Sequence, residues 1–384
     1  MKFAHLGDCH LGSWRHPQLK ELNFQSFQEA LKISVKEKVE FILITGDLFD
    51  SPYPSIDTLK QAFGEFRKLK EAKIPVFLIA GSHDYSVSGK TFLDVLSKAG
   101  FCVNVSNYEE REKNIMLLPT IYKNVAIYGY PGKKSGLEIE ELENMKIQDS
   151  PGLFKILMLH TPIRDAVPNP NIKAVNEKAL PKVDYLALSH LHINYNKEGR
   201  VYSGPTFPNS FLELEELKGG SFYIVESGVP KKQDIKLKSV FSLNIEIKNA
   251  LTATNEIISF LKNENLKDKI VIIKLQGVLE TGKTSDINFA EIENHVMGKG
   301  AFVFLKGTSR LHMQNPEVKL DILDAEQLES QIIKKFEESN KSKFNYLIFQ
   351  LMKSLHTEKL EDEKSSTFEE RIISEARKIM KNEI

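Results

Sequence analysis

Cysteine is nearly missing from this chain. Cys9 and Cys102 are its only two. Two thiols cannot build a disulfide framework, so a reducing compartment is the simpler expectation. Long apolar runs are missing too, and none approaches the roughly 18 residues that a membrane span needs. The N-terminus has no signal-peptide pattern, because Met1, Lys2 and Phe3 run straight into Asp8 and His10. A cytoplasmic location with no membrane contact is therefore expected, nuclear if the source is eukaryotic. An excess of one charge is also absent. Lys+Arg is 52 and Asp+Glu is 52, which excludes a bulk cationic coat while leaving room for a local basic face. Hydrophobic residues at 41% and charged residues at 27% exclude wholesale disorder, a collagen-like fibre and a membrane bundle. At roughly 100–200 residues per domain, the length predicts two or three domains.

Up to about residue 228, short apolar runs alternate with helical patterns. Phe41-Ile42-Leu43-Ile44 and Val76-Phe77-Leu78-Ile79 predict buried strands. Between them Leu59, Phe63, Phe66 and Leu69 repeat with helical period. Further strands are predicted at 125–130, 155–159 and 185–188, so the reading is a layered α/β fold. Residues 227–232, rich in Gly, Pro and Lys, read as a linker. A second small α/β unit follows. Phe241, Leu243, Ile245 and Ile247 alternate as a half-buried strand. Helices are predicted at 255–261 and 289–296, and strands at 270–275 and 301–305. The tail is helical, with apolar stripes Leu328, Ile332, Phe336, then Phe344, Leu347, Ile348, Leu351, Leu355, then Phe368, Ile372, Ala376, Ile379. Thr367 and Glu370 predict a capping box for the last helix, after a charged, flexible stretch at 358–366. The domain reading is 1–228, 238–312 and 325–384.

The chemistry sits just past five predicted strands. Asp8-Cys9-His10, Gly46-Asp47-Leu48-Phe49-Asp50, Gly81-Ser82-His83-Asp84, His160, and His190-Leu191-His192 each follow an apolar run. The carboxyl ends of strands in open α/β sheets converge on the ligand crevice. Five of the ten histidines lie in these motifs. Carboxylates with imidazoles suit Mn, Fe or Zn. Two such metals about 3.5–4 Å apart need a bridging carboxylate flanked by histidines, and they grip both oxygens of a phosphodiester.

In order and type, these five motifs resemble the calcineurin-like metallophosphoesterase superfamily. The layout, with Ile44-Thr45-Gly46-Asp47-Leu48-Phe49-Asp50 and His5-Leu6-Gly7-Asp8-Cys9-His10-Leu11-Gly12, is similar to its DNA double-strand-break repair nucleases of the meiotic-recombination-eleven (SbcD-like) type. The motif resemblance covers roughly residues 1–225. It implies a four-layer α/β/β/α metallophosphoesterase sandwich with a small α/β capping domain and a helical C-terminal tail. It implies Asp8, His10 and His192 on a first manganese, Asp47 bridging, and His160 and His190 on a second. His83 would stand near the leaving group with Asp84 orienting its ring, and Asp50 would lie near the metals. Where the family has asparagine this chain has Ser82, a shorter ligand, so the second metal is weakly held, water-completed or lost. Ser189 replaces a glycine. The resemblance implies 3′-to-5′ exonuclease and single-strand endonuclease activity at DNA ends, a homodimer, and a partner: an SMC-like ABC ATPase with coiled-coil arms, docked by the tail. Two rival readings share the site. One is a DNA-end scaffold with a weakened metal site; the other is a phosphoesterase acting on something other than DNA.

Several features read two ways. Arg15, His16, Lys133, Lys134, Lys231 and Lys232 are either solvated surface or contacts to DNA phosphates. Leu59, Phe63, Phe66 and Leu69, with Phe24, Phe27 and Leu31, are either core or a dimer face. His5 and Cys9 read as structural, and His295, His312 and His356 as solvated or capping. Residues 277–284, Gly-Val-Leu-Glu-Thr-Gly-Lys-Thr, match the P-loop pattern literally. Ser285 and Asp286 read as fresh helix caps beyond them, which argues against a nucleotide site.

Overall fold

The computed structural model describes residues 1–313 apart from 87, 88, 90, 112, 113, 134–137 and 168, and residues 333, 334, 336, 342, 344–355, 357 and 365–381. The chain opens as β1 (Lys2–Leu6), α1 (Pro17–Lys36), β2 (Phe41–Thr45), α2 (Ile56–Glu71), β3 (Val76–Ile79), α3 (Phe92–Lys98) and β4 (Val103–Asn104). These four strands are parallel neighbours. β2 and β3 are buried on both faces, which is why they read as unbroken apolar runs. Pro17 suits the first turn of α1, where its missing N–H costs nothing. Ser55 caps α2 by accepting from the Thr58 amide at 3.2 Å.

Next come β5 (Tyr108–Arg111), β6 (Asn114–Leu117), β7 (Thr120–Tyr122), β8 (Val125–Tyr130), α4 (Glu138–Leu142), β9 (Met145–Ile147), β10 (Phe154–His160), β11 (Tyr185–Ser189), β12 (Asn194–Lys197), β13 (Arg200–Ser203), α5 (Phe211–Leu217), β14 (Gly220–Glu226) and β15 (Val229–Ile235). Two six-stranded sheets result, in orders β15-β14-β1-β2-β3-β4 and β12-β13-β11-β10-β8-β7. Phe3, Phe41, Leu43, Phe77 and Ile79 of the first meet Ile127, Ile156, Met158, Tyr185 and Val201 of the second. Phe3 stacks on Phe41 at 4.9 Å and meets Tyr185 edge-on at 5.3 Å. The outer face of the first sheet is covered by Phe24, Phe27, Phe66, Leu69 and Leu93 from α1, α2 and α3. The outer face of the second is covered by α4 and a small sheet, β5-β6-β9. The sandwich is therefore helix, sheet, sheet, and a thin fourth layer that is only partly helical.

Phe24, Phe27, Leu31, Phe66 and Leu69 are buried in the core, with Leu59 and Phe63 partly buried against them, in line with the core reading of this stripe. Residues 227–232 are not a linker. Ser227 (φ 51°) and Gly228 (φ 81°) form the two-residue turn of a hairpin, and β15 pairs with β14 from Val229 onward. The Pro230, Lys231 and Lys232 that suggested a linker are instead suited to an edge strand, where they discourage pairing with another chain.

β16 (Ser239–Glu246), α6 (Ala250–Leu261), β17 (Lys269–Leu279), α7 (Phe289–Gly298) and β18 (Val303–Met313) build a three-stranded sheet with two helices. Its Ile270, Ile272, Val303 and Leu305 pack on Leu19 and Leu22 of α1, Phe207, and Leu214 of α5. No phosphate cradle forms at the P-loop-like sequence. Gly277 lies inside β17, the Lys283 amide is tied to Asp286 at 3.0 Å, and α7 starts only at Phe289. Its cap is Asn288, which accepts from the Glu291 amide at 3.2 Å, rather than Ser285 or Asp286.

The described residues of the tail belong to a second compact unit together with residues 278–281. It contains α8 (Ile348–Leu355) and α9 (Ser365–Lys381). The last helix starts two residues before Thr367, so the capping box is not at its start, and Ser365 and Ser366 are helical. Phe368, Ile372, Ala376 and Ile379 share its half-buried face. Leu328, Ile332, His356, Lys134 and residues 358–364 lie outside the described residues. Among the described residues, no helix is long and apolar enough to cross a membrane.

Candidate metal centre

β1, β2, β3, β10 and β11 are parallel strands whose ends deliver Asp8 and His10, Asp47 and Asp50, Ser82 and His83, His160, and His190 and His192. Directly after the strands the backbone turns sharply. Asp8 (φ 48°), His10 (44°), Asp47 (49°), His190 (100°) and His192 (54°) all adopt the left-handed conformation. For residues with a side chain this costs on the order of 1–3 kcal/mol each, and it concentrates at functional sites. Bonds between the loops hold it: the Asp8 amide donates to Gly46 O at 3.2 Å, His10 to Asp47 O at 2.9 Å, and Leu11 to Leu48 O at 2.9 Å. The His190 amide donates to the Asp8 carboxylate at 3.0 Å. Gly46 and Gly81 are required by closeness. A Cβ on Gly81 would lie 2.2 Å from Asp47 Oδ1, and one on Gly46 2.5 Å from His160 Nδ1.

The ligand atoms gather in overlapping groups, Asp8–His10–His192 and Asp8–Asp47–His160, with all atoms of a group within 4.8 Å of one another. Asp47 Oδ2 stands between His10 Nε2 at 3.7 Å and His160 Nε2 at 3.2 Å, the place of a bridging carboxylate. His190 Nδ1 lies 3.3 Å from His160 Nε2. The far ring nitrogens set the tautomers. His10 Nδ1 donates to Asp50 at 3.2 Å and His192 Nδ1 to Glu213 at 3.1 Å. Their Nε2 atoms face each other 3.0 Å apart, an arrangement suited to surrounding a cation. His160 Nδ1 donates to Ser189 Oγ at 2.8 Å, and the Ser189 hydroxyl donates on to Thr45 O.

Charge supports the same reading. Burial would raise the Asp47 carboxyl, yet His160 and then His10 hold it well below the usual carboxylate range. Burial opposes a charged His160, but Asp47 and Asp8 raise it to about 9. His192 is raised to about 8 by Asp8 and Glu213 despite burial. His190 is lowered to about 4 by burial and by His160. Buried carboxylates at the centre therefore call for positive charge between them. Oxygen and nitrogen donors without thiolate fit a divalent Mn, Fe or Zn. Cys9 is no competitor, because its Sγ is buried and turned toward Gly7 O.

Among the expected site residues, Asp84 is placed differently. Its buried carboxylate accepts from the amides of Gly81 at 2.9 Å, Phe49 at 3.0 Å and Leu48 at 3.3 Å, stapling two ligand loops together. Burial and then Asp47 raise it to about 7. The His83 ring is oriented instead by the Asp50 carbonyl, 2.9 Å from its Nδ1. His83 also lies edge-on against His10 at 4.8 Å and is half-exposed. Ser82 sits in the same turn, between Gly81 and His83, whose amide donates to Asp47 at 2.8 Å. His5 is a core residue between Tyr185 Oη and Thr45 Oγ1. Of the expected DNA contacts, Arg15 is exposed, whereas His16 is the half-buried residue preceding α1. Lys133 pairs with Glu141 at 2.6 Å. Glu213 was missed by sequence reasoning, and Ser189 was read only as the replacement of a glycine, not as a partner of His160. In Phe-Leu-Glu-Leu-Glu-Glu-Leu a glutamate reads as solvated helix surface, and no motif spacing marks it.

The calcineurin-like phosphoesterase family profile matches residues 1–194. A Methanosarcina mazei protein named DNA double-strand break repair protein Mre11 is 24% identical, over 83% of this chain and 51% of its own length. Proteins of the same name from Methanococcus maripaludis and Saccharolobus solfataricus are 28% and 26% identical, covering 76% and 71% of this chain and 78% and 74% of theirs. The chain spans about half the length of the Methanosarcina relatives it matches. A solved archaeal phosphodiesterase aligns with a TM-score of 0.31 at 10% identity, over 62% of this chain and all of that one; a likeness that slight carries no argument. With its ligand loops and the family match over half its length in agreement, the chain belongs to the calcineurin-like phosphoesterase family.

Proposed function

We propose that this chain is the manganese-dependent DNA nuclease subunit of a double-strand-break repair complex. It would trim duplex ends as a 3′-to-5′ exonuclease and cut single strands as an endonuclease. The carrying observation is the double group of donors sharing Asp8 around a bridging Asp47, in a chain whose relatives bear the name of a DNA double-strand break repair protein. Two divalent cations held there would supply Lewis-acid polarisation of a phosphodiester and a water of lowered pKa. The chain's own residues do the rest. Asp8, His10 and His192 would hold one cation and His160 and His190 the other, with Asp47 shared between them and Ser82 in the adjoining turn. Asp50 fixes the His10 ring and, through its carbonyl, the His83 ring. With its Nδ1–H held by the Asp50 carbonyl, a doubly protonated His83 would pass its Nε2 proton to the leaving 3′ oxygen and return to the neutral ring. Arg15 and His16, at the entry to α1, are offered as DNA contacts.

The domain reading of 1–228, 238–312 and 325–384 belongs to the same proposal, with the first boundary moved to follow β15. The helical unit at the C-terminus would dock an SMC-like ABC ATPase, the assembly would be a homodimer, and it would act on the chromosome. The test compares end-labelled duplex DNA with an aryl phosphodiester in manganese. Cleavage of DNA at least tenfold faster supports the reading. Turnover of the aryl ester alone overturns it in favour of a phosphoesterase of another substrate class.

A further inference from the structure

One short helix touches both the metal centre and the three-stranded sheet beyond the sandwich. Glu213 and Glu215 lie two residues apart on α5, about 200° apart around its axis, so their side chains leave opposite sides. Glu213 is fully engaged on the site side. Its Oε2 accepts from His192 Nδ1 at 3.1 Å and from the Asn209 amide at 2.8 Å, and its Oε1 accepts from the Ser210 hydroxyl at 3.1 Å. The same loop reaches the other ligand histidine, because Asn209 Nδ2 lies 3.4 Å from Asp50 Oδ1, which holds His10. Glu215 is engaged on the far side. Its two oxygens take the Lys274 ammonium of β17 and the Ser242 hydroxyl of β16. Leu214, between them, is buried among Ile270, Ile272, Val303 and Leu305. Trp14 completes the clamp by stacking on Phe211 at 5.9 Å and donating to Pro208 O at 2.9 Å.

We propose that Glu215 and Lys274 are positioning residues, and that α5 is the link through which the docked three-stranded sheet sets the orientation of His192 and, with it, metal affinity. The inference rests on the metal-site reading above. The Lys274–Glu215 pair is four-fifths buried, so it is not the screened, mobile kind of surface pair that contributes little. Loss of the pair frees α5 to rotate about Leu214, and that rotation is transmitted to His192 through a carboxylate with no slack in its bonds.

The test measures manganese binding to the full chain by calorimetry for the wild type, Glu215→Gln, Lys274→Met and Ser242→Ala. A second readout needs no metal: the far-downfield imidazole N–H proton signal of His192, identified by its loss in His192→Gln. Glu215→Gln and Lys274→Met are expected to weaken manganese binding three- to tenfold and to broaden or shift that signal. Ser242→Ala, a change on an exposed residue that leaves the fold intact, is expected to shift it in the same direction by less. The charge reversal Glu215→Lys with Lys274→Glu is expected to bring affinity back to within twofold. Affinities within twofold of wild type together with an unmoved His192 signal in all three variants overturn the link and leave the functional reading standing. A wild type that binds no manganese overturns the functional reading and this inference with it.

Discussion

Three side chains outside the ligand set hold the expected ligand histidines by Nδ1, Asp50 on His10, Glu213 on His192 and Ser189 on His160, and the structure ranks the last two. Glu213 is the partner of His192 Nδ1, at 3.1 Å. Ser189 shares His160 Nδ1 with the Thr45 carbonyl, which lies 3.1 Å away and remains when the hydroxyl is removed. Glu213→Ala therefore leaves His192 free to turn and removes a carboxylate that raises its basicity. Such changes typically cost 10–100-fold in metal affinity, about 1.4–2.7 kcal/mol. Ser189→Ala removes one of two alternatives, a net hydrogen bond of about 0.5–1.5 kcal/mol at most, so the expected loss is below about tenfold. Titration of manganese into chelator-treated protein reads both. The ranking fails if Glu213→Ala binds within threefold of wild type, or if Ser189→Ala loses as much as Glu213→Ala.

Three further outcomes follow from particular contacts. His5 is buried, and burial lowers it to about 3. Between its ordinary value of about 6.5 and 3 the unfolded chain takes up a proton that the folded chain refuses, so stability falls as pH falls through that window. From pH 7 to pH 5 this single group accounts for about 2 kcal/mol. Urea midpoints should show His5→Asn losing that much less than wild type over the interval, and equal losses would contradict the burial argument. Gly81→Ala places a Cβ 2.2 Å from Asp47 Oδ1. Displacing the carboxylate proposed to bridge by about 1 Å should cost on the order of 10²-fold in phosphodiester turnover, and unaltered turnover would show the loop free to move. Lys283→Ala should leave DNA cleavage within twofold, and filter binding of labelled ATP should detect nothing in either protein; ATP retained by wild type and lost in the variant would reverse the reading of residues 277–284.

The legible part of this molecule was the part made of buried parallel strands. Runs such as Val125–Tyr130 and Val76–Ile79 stand out because both faces are covered, and the ligand motifs follow them directly. What was hidden had no periodic or spacing signal. Pro230, Lys231 and Lys232 look like linker residues, but the hairpin turn at Ser227-Gly228 makes them an edge strand. Asp84 adjoins His83 in sequence, yet its carboxylate faces three backbone amides on the other side of the loop. The apolar stripe on α2 could not declare whether it faced its own sheet or a second chain; Phe66 and Leu69 are core. Glu213 and Glu215 look like solvated charges until the fold brings His192 and Lys274 to opposite sides of α5.

The most direct test of the account is cleavage of end-labelled linear duplex DNA by the purified chain in manganese, in magnesium and in chelator, beside Asp47→Ala and His83→Ala. The account predicts manganese-dependent trimming that both variants lose by at least 10²-fold. No trimming by the wild type, even with an SMC-like ATPase partner supplied, would contradict it and leave a DNA-end scaffold as the better description.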